Sequence, residues 1–163
     1  MSFHARKLMG AGGEAPPEPS YANEGGTGNR ASLITVTTDA TQGGGALSNL
    51  IDGNIGSDSS IAWWWQNLQS GRELRFAFLD PKAIDQFKWY QDVATTHGDW
   101  KMQGSNNGSL WVDLSSNFTL GGVAQVVDLD LYNGTRYTQY RLLQMSGVTS
   151  HSPWLQEIEF RID

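Results

Sequence analysis

The residue types that carry out catalysis are present in this chain, but their spacing does not fit a catalytic site. The histidines, His4, His97 and His151, lie too far apart for a metal-binding motif such as H-x-x-x-H. Asp128 and Asp130 alternate in a predicted strand and share one exposed face, where carboxylates are usually solvated. The sequence has no G-x-S-x-G nucleophile motif, no phosphate-binding loop and no cysteine. It therefore predicts a domain that is not an enzyme.

Three consecutive tryptophans, Trp63, Trp64 and Trp65, form the most unusual local feature. In an extended strand Trp63 and Trp65 point to one face of the sheet and Trp64 to the other. One face must enter a core, and the other would expose a large apolar surface of the kind that marks a ligand or a protein partner. Because aromatic rings stack on the apolar faces of sugar rings, Trp64 is a candidate for sugar contact. Core packing is predicted for the other central tryptophans, Trp89, Trp100 and Trp111.

Charge and composition exclude several classes of partner. The chain has 11 Lys+Arg against 17 Asp+Glu, a formal net charge of -6, and its basic residues do not cluster beyond Arg6-Lys7. Nucleic-acid binding and polybasic membrane contact both need a positive surface, so neither is expected. No apolar run approaches the roughly 20 residues that span a bilayer, so membrane insertion is not expected. The first 20 residues lack the apolar segment of a signal peptide, which predicts synthesis in the cytoplasm.

The composition changes near residue 30. Residues 1–30 are rich in Gly and Pro, which resist ordering, and are predicted to form an extended docking tail. From residue 31 onward, β-branched and aromatic residues alternate with polar ones, and turn dipeptides separate the runs. The candidate strands cover residues 33–38, 74–78, 87–90, 100–104, 110–114, 123–129, 137–144 and 157–162. This pattern predicts one all-β domain, residues 31–163, built as a jelly-roll β-sandwich of about eight antiparallel strands.

Three motifs follow one another along this predicted domain. They are Asn49-Leu50-Ile51-Asp52-Gly53-Asn54 with the tryptophans after it, Trp100-Lys101-Met102-Gln103-Gly104-Ser105-Asn106-Asn107-Gly108 with Trp111, and Glu157-Ile158-Glu159-Phe160. Together they resemble the discoidin, or coagulation factor 5/8 type C, domain and the related galactose-binding-like carbohydrate-binding modules. The resemblance covers residues 31–163. It implies a β-sandwich that binds a surface glycan without catalysis.

The resemblance also implies a structural calcium ion. In the family, the first loop often holds calcium together with a glutamate of the last strand, and calcium prefers about six to eight oxygen ligands. The matching positions in this sequence are Asn49, Asp52, Asn54, Ser57 and Glu157. A plain β-turn is the alternative at Asp52-Gly53-Asn54, because Asp and Asn bond their own backbone and Gly supplies a positive φ.

Ligand recognition in the family lies in the loops at one end of the sandwich. Here those loops are residues 66–70, 91–99 and 146–154. A sugar site needs polar groups for the hydroxyls and one aromatic wall. The residues with suitable chemistry, including the central tryptophan of the cluster, are Trp64, Gln66, His97, Asp99, His151 and Trp154.

The N-terminal segments carry a second likeness. Residues 1–9 and 21–37 resemble parts of small phage structural proteins that contain a discoidin-like domain. This likeness implies a virion protein whose residues 1–30 dock on other virion subunits while the domain meets host carbohydrate. Multimeric display would compensate for a weak single site, since multivalency raises avidity by roughly 10²–10⁴-fold. The alternative is a structural capsid or tail decoration or connector protein without sugar binding, whose tryptophans pack against a neighbouring subunit.

Overall fold

Two antiparallel β-sheets pack face to face in this protein. The structure is a computed structural model that describes residues 18–56, 61–63, 70–147 and 154–163, with the backbone alone for residues 61–63. Apart from one short 3-10 helix at Leu47–Ile51, the regular elements in these segments are strands. The predicted all-β sandwich is confirmed. No helix within the described segments is long and apolar enough to cross a membrane.

The strands divide between the sheets as follows. The first sheet contains, in spatial order, β1 (Ile34–Thr38), β4 (Glu73–Lys82), β10 (Tyr137–Ser146), β6 (Asp99–Ser105) and β7 (Val112–Asp113), and β8 (Phe118–Thr119) also pairs with β6. The second contains β2 (Gln42–Gly44), β3 (Ile61–Trp63), β11 (Trp154–Ile162), β5 (Ile84–Gln91) and β9 (Ala124–Asp128). Each predicted strand segment overlaps an observed strand, because alternating hydrophobicity is what a sheet with one buried face requires.

The core lies between the two sheets and is rich in aromatic rings. The Phe160 ring of β11 meets Phe76 and Phe78 of β4 edge to face, with centroids 5.1 and 5.6 Å apart. Trp89 and Trp100 are fully buried, as predicted. Burying each such side chain stabilises the fold by about 1.5–3 kcal/mol, so these contacts hold the sheets together.

Trp111 lies outside this core, contrary to prediction. Its ring sits over the guanidinium groups of Arg75 and Arg141, at 4.9 and 4.3 Å from the ring centroid. These arginines are direct cross-strand partners on β4 and β10 and point away from the core. Trp111 is therefore covered by cation–π contacts on the outer face of the first sheet.

The N-terminal segment belongs to the domain from Ser20 onward, so the predicted boundary after residue 30 is wrong. The Ser20 N–H donates to the Ile162 carbonyl (2.8 Å), and the Ile162 N–H donates to the Ser20 carbonyl (3.1 Å). The Tyr21 hydroxyl donates to Gln86 Oε1 (2.8 Å), and Gly26 is buried. Glycine-rich composition indicated a tail, but here glycine allows the backbone to pack closely against the sandwich. Residues 1–17 lie outside the described residues.

One end of the sandwich, called the loop rim below, is formed by the described parts of five connections, residues 39–41, 70–72, 92–98, 120–123 and 147. Strand register brings these connections together. Ser146 at the end of β10 pairs with Asp99 at the start of β6, and Asp99 pairs with Thr119 of β8. In the other sheet, Leu155 of β11 pairs with Gln91 at the end of β5. The described residues of the loops assigned to recognition by sequence, 70, 91–99, 146–147 and 154, therefore meet at a single end.

Candidate functional site

Trp154 supplies an aromatic surface at the loop rim. Its side chain is 37% exposed, and its ring packs over Gly44 of β2, where an added Cβ would lie 3.0 Å from Cη2 of the indole. Asp92 holds the Trp154 backbone on both sides. The Trp154 N–H donates to Asp92 Oδ1 (2.9 Å), and the Asp92 N–H donates to the Trp154 carbonyl (3.0 Å). The indole is thus supported from beneath and anchored at its backbone, while part of the ring faces solvent.

A groove of about 380 Å³ lies at the same end, on the side of the rim next to β9. It is lined by Ala94, Thr95, Thr96, Thr119, Leu120, Gly121, Gly122 and Gln125. Gly121 allows the two loops that line the groove to lie close together, because an added Cβ at this position would lie only 2.5 Å from the Thr95 carbonyl oxygen. Sequence analysis did not assign this groove, although the Thr95-Thr96 pair and the Gly121-Gly122 pair mark its two walls. A groove of this size can accept a small ligand.

Two glutamine side chains hold the walls of the groove in place. Gln91 is fully buried, accepts a hydrogen bond from Trp89 Nε1 (2.6 Å) and donates to the carbonyl of Val93 (2.6 Å). It also donates to the carbonyls of Thr95 and Gly121, each at 3.3 Å. Gln125 Nε2 donates to the Thr119 carbonyl (2.6 Å). Because buried polar groups must be paired, these bonds fix the loop backbones and preorganise the groove.

Asp99 lies at the rim, as the sequence predicted, with its carboxylate between two strands. Its Oδ2 accepts from the Ser146 hydroxyl (2.7 Å), and its Oδ1 accepts from the Thr119 hydroxyl (2.9 Å). These hydroxyls hold the pKa of Asp99 below its ordinary value, so the side chain is ionised at neutral pH. Sugar contact by Asp99 stays a prediction, as it does for Trp154.

His97 was predicted to contact sugar, but it is fully buried. Its ring packs edge-on against Trp89, with centroids 5.6 Å apart. Its carbonyl accepts from Trp100 Nε1 (3.0 Å) and Gln144 Nε2 (2.9 Å). Burial lowers the pKa of the imidazole to about 4, so the ring is neutral at pH 7. The prediction is wrong because the 92–98 loop turns inward at His97, which supports the rim from below.

The other predicted sugar contacts, Trp64, Gln66 and His151, lie outside the described residues. Trp63 ends strand β3, and only its backbone is described. These contacts remain predictions. Along the chain, residues 64–69 follow β3 and residues 148–153 precede β11.

The Asp52-Gly53-Asn54 segment forms a turn. The Asn54 N–H donates to Asp52 Oδ1 (2.8 Å), and Gly53 has φ +80°. An added Cβ on Gly53 would lie 2.7 Å from the Gly28 Cα, so glycine permits the turn to approach the N-terminal segment. Asn49 lies within the 3-10 helix, where its N–H donates to the Ala46 carbonyl (2.9 Å), and Ser57 lies outside the described residues.

Glu157, the predicted calcium ligand on β11, has both carboxylate oxygens engaged by the chain itself. Its Oε1 accepts from the Arg30 guanidinium, and its Oε2 accepts from the Gly53 N–H (3.1 Å). Burial raises the pKa of Glu157, while the charge of Arg30 opposes the rise. Among the described residues, no three His, Asp or Glu side chains cluster closely enough to hold a metal ion. This donor set does not fit the six to eight oxygens that calcium requires.

Comparison with known proteins shows the fold. No protein-family model and no curated protein matches the sequence. The crystal structure of SpGH29 has a TM-score of 0.60 and 17% identity over 80% of this chain, which spans only 27% of that protein. CpGH89CBM32-5 from Clostridium perfringens, in complex with GalNAc-β-1,3-galactose, has a TM-score of 0.62 and 13% identity over 83% of this chain and 99% of its own.

A third solved structure has higher identity. GH31 CBM32-2 bound to GalNAc is 26% identical, with a TM-score of 0.55 over 78% of this chain and 96% of its own. The matches to CBM32 structures cover nearly their entire length, so they compare whole domains. The chain therefore has the fold of the family 32, galactose-binding-like carbohydrate-binding modules.

Proposed function

We propose that this domain is a non-catalytic glycan-binding module whose ligand contacts the loop rim. The observation that carries the proposal is Trp154, a 37% exposed tryptophan at the end of the sandwich where the rim loops converge. Gly44 supports the ring, and Asp92 fixes its backbone. A rigid aromatic surface beside polar loops has the chemistry that stacks on a sugar ring and bonds its hydroxyls. Similar folds in complex with galactose and with GalNAc support this assignment.

The charge of the loop rim indicates uncharged sugars as the ligand class. Asp39, Asp92 and Asp99 lie there, whereas Arg72 is paired with Asp39 at 3.7 Å. Residues 64–69, which follow β3 in the chain, and residues 148–153, which precede β11, contain no Lys, Arg, Asp or Glu. An acidic glycan would therefore meet these three carboxylates at the described part of the rim, which costs affinity. Neutral and N-acetylated sugars avoid that cost.

We expect Trp154→Ala to weaken glycan binding by about two- to tenfold, because removing the indole removes about 0.5–1.5 kcal/mol of stacking. The measurement is binding of multimerised full-length protein to arrays of neutral and acidic glycans, followed by titration with the glycan that binds. Leu110→Ala is a matched control, since Leu110 is 76% exposed in the β6–β7 connection at the opposite end. Preference for acidic glycans would contradict the ligand class, and equal losses in both variants would contradict the Trp154 site.

We further propose that the domain is displayed in many copies on a phage virion and helps it attach to host surface carbohydrate. The likeness of residues 1–9 and 21–37 to small phage structural proteins supports this setting. Because residues 20–30 pack on the domain itself, we assign docking to another virion subunit to residues 1–17. A site with about millimolar Kd contributes roughly 4 kcal/mol, so attachment depends on avidity. Immunogold labelling of purified virions tests this location.

A structural decoration protein is the second candidate function. Edge strand β9 and the residue before it present two exposed valines, Val123 at 49% and Val126 at 57%. An edge strand with exposed apolar side chains can contact a neighbouring subunit. Absence of any glycan signal from multimerised protein, together with association that Val126→Lys abolishes, would favour this candidate over glycan binding.

A further inference from the structure

The Arg30 side chain is buried inside the domain and is surrounded by oxygen atoms. It is 1% exposed. Its Nε donates to the Gly28 carbonyl (3.0 Å), and its Nη1 donates to the Gly26 carbonyl (3.0 Å). Its Nη2 donates to the Ile158 carbonyl (2.7 Å) and to Glu157 Oε1. One guanidinium therefore binds three main-chain carbonyls and one carboxylate.

These oxygens come from parts of the chain that are distant in sequence. Gly26 and Gly28 belong to the N-terminal segment, whereas Glu157 and Ile158 belong to β11. The second oxygen of Glu157 accepts from Gly53, and the Arg30 N–H donates to the Ile51 carbonyl (2.8 Å). Arg30 and Glu157 thus join the N-terminal segment, the last strand and the turn after the 3-10 helix.

Carbonyl and carboxylate oxygens converging from separate segments are also what a protein offers to a structural calcium ion. In this chain, however, Arg30 brings the positive charge and Glu157 balances it within a buried pair. Arginine keeps its charge at all ordinary pH values, and its planar fork directs several donors at once. A divalent cation at the same oxygens would have to displace the guanidinium and would be repelled by it.

We propose that the Arg30 guanidinium serves as the built-in cation of this domain, in place of a bound divalent metal ion. The turn at Asp52-Gly53-Asn54 and Glu157 are then organised by a side chain of the same polypeptide. Folding of this domain is accordingly independent of calcium. The positioning role of Arg30 extends to the N-terminal segment, because two of its acceptors are carbonyls of that segment.

The first test uses the full-length wild-type protein and the metal alone. Thermal unfolding is recorded in chelator, in excess CaCl2 and in excess MgCl2 at matched ionic strength. A metal ion that binds only the folded state would raise the thermal midpoint. Because we propose that no metal ion binds at these oxygens, we expect the same midpoint in all three conditions. A midpoint that rises with calcium and falls with chelator would overturn the proposal.

The second test removes the guanidinium and then returns it. Arg30→Ala leaves Glu157 buried without its partner, so we expect a large drop in the thermal midpoint or loss of the cooperative transition. Methylguanidinium below denaturing concentrations should restore part of the loss, whereas methylammonium at equal ionic strength should not. Arg72→Ala is the matched control, because Arg72 is 43% exposed and pairs only with Asp39 in the described ion pairs. Equal midpoints for wild type and Arg30→Ala would refute the proposal.

Arg30→Lys keeps the positive charge but lacks the planar guanidinium. This variant tests the proposal if Arg30→Ala does not fold. We expect a midpoint below that of the wild type, because one ammonium cannot reach all four acceptors. Calcium that stabilises Arg30→Lys but leaves the wild type unchanged would show that the guanidinium excludes a metal from these oxygens. A fully stable Arg30→Lys variant, unaffected by calcium, would show that the planar guanidinium is not required and would contradict the proposal.

Discussion

A chain that starts at residue 31 is expected not to fold stably, whereas a chain that starts at residue 18 should keep a cooperative unfolding transition. Removal of residues 18–30 deletes Arg30, the ionic partner of the buried Glu157, and uncovers the surfaces of β11 and β5 on which this segment packs. It also deletes the Ser20 pairing with Ile162. Small domains have only about 5–15 kcal/mol of stability in total. Circular dichroism melts of the two truncated proteins provide the measurement.

The shorter deletion is the control for this prediction. A protein with residues 18–163 retains Ser20, Tyr21 and Arg30, and therefore the described contacts of the N-terminal segment with β11 and β5. If residues 31–163 alone melt cooperatively at the wild-type temperature, the N-terminal segment is not part of the domain. That result would restore the boundary predicted from composition.

The stability contributed by His97 is expected to fall by about 2 kcal/mol between pH 7 and pH 5. Burial lowers the pKa of His97 from 6.5 to about 4 in the folded protein. The unfolded chain therefore binds a proton in this range that the folded protein does not bind. Stability due to this group is fully present above pH 6.5 and is lost as the pH falls toward 4.

The measurement is the free energy of unfolding in urea at several pH values, compared between the wild type and His97→Gln. The difference between the two curves isolates His97, because the carboxylates are present in both proteins. Glu157 is one of these carboxylates. Because its pKa is raised in the folded protein, its contribution to stability increases as the pH falls, which is opposite to the contribution of His97. His4→Gln/His151→Gln, which leaves the buried imidazole intact, should keep the wild-type slope. Parallel curves for the wild type and His97→Gln would show that the imidazole does not titrate differently on folding.

The strands were predictable because alternation is a local property of sequence. Glu157 to Ile162 alternate polar and apolar residues, and that stretch lies within the last strand, β11. The same rule correctly placed Trp89 and Trp100 in the core. It failed for Trp111, which precedes the two-residue strand β7 and packs on arginines from β4 and β10. Cross-strand neighbours depend on which strands pair and at which exact register, whereas alternation alone indicates only which face of the sheet a residue takes.

The candidate site was only partly predictable. The motifs predicted loops that meet at one end of a sandwich, and Trp154 and Asp99 are found there, while their contact with a ligand stays a prediction. His97 could not be placed from sequence, because a loop residue between Thr96 and Gly98 can point either to solvent or to the core. The groove was missed because its walls come from two connections that are separated in the chain, residues 94–96 and 119–122.

The sequence by itself determined the all-β architecture and the formal net charge of -6, since these follow from local periodicity and from counts of charged residues. Only the tertiary structure decided that residues 20–30 complete the domain and that Arg30 lies against Glu157. The reason is physical. A buried ion pair between residues 127 positions apart depends on how the folded backbone brings both ends of the chain together, and no local pattern records that distance.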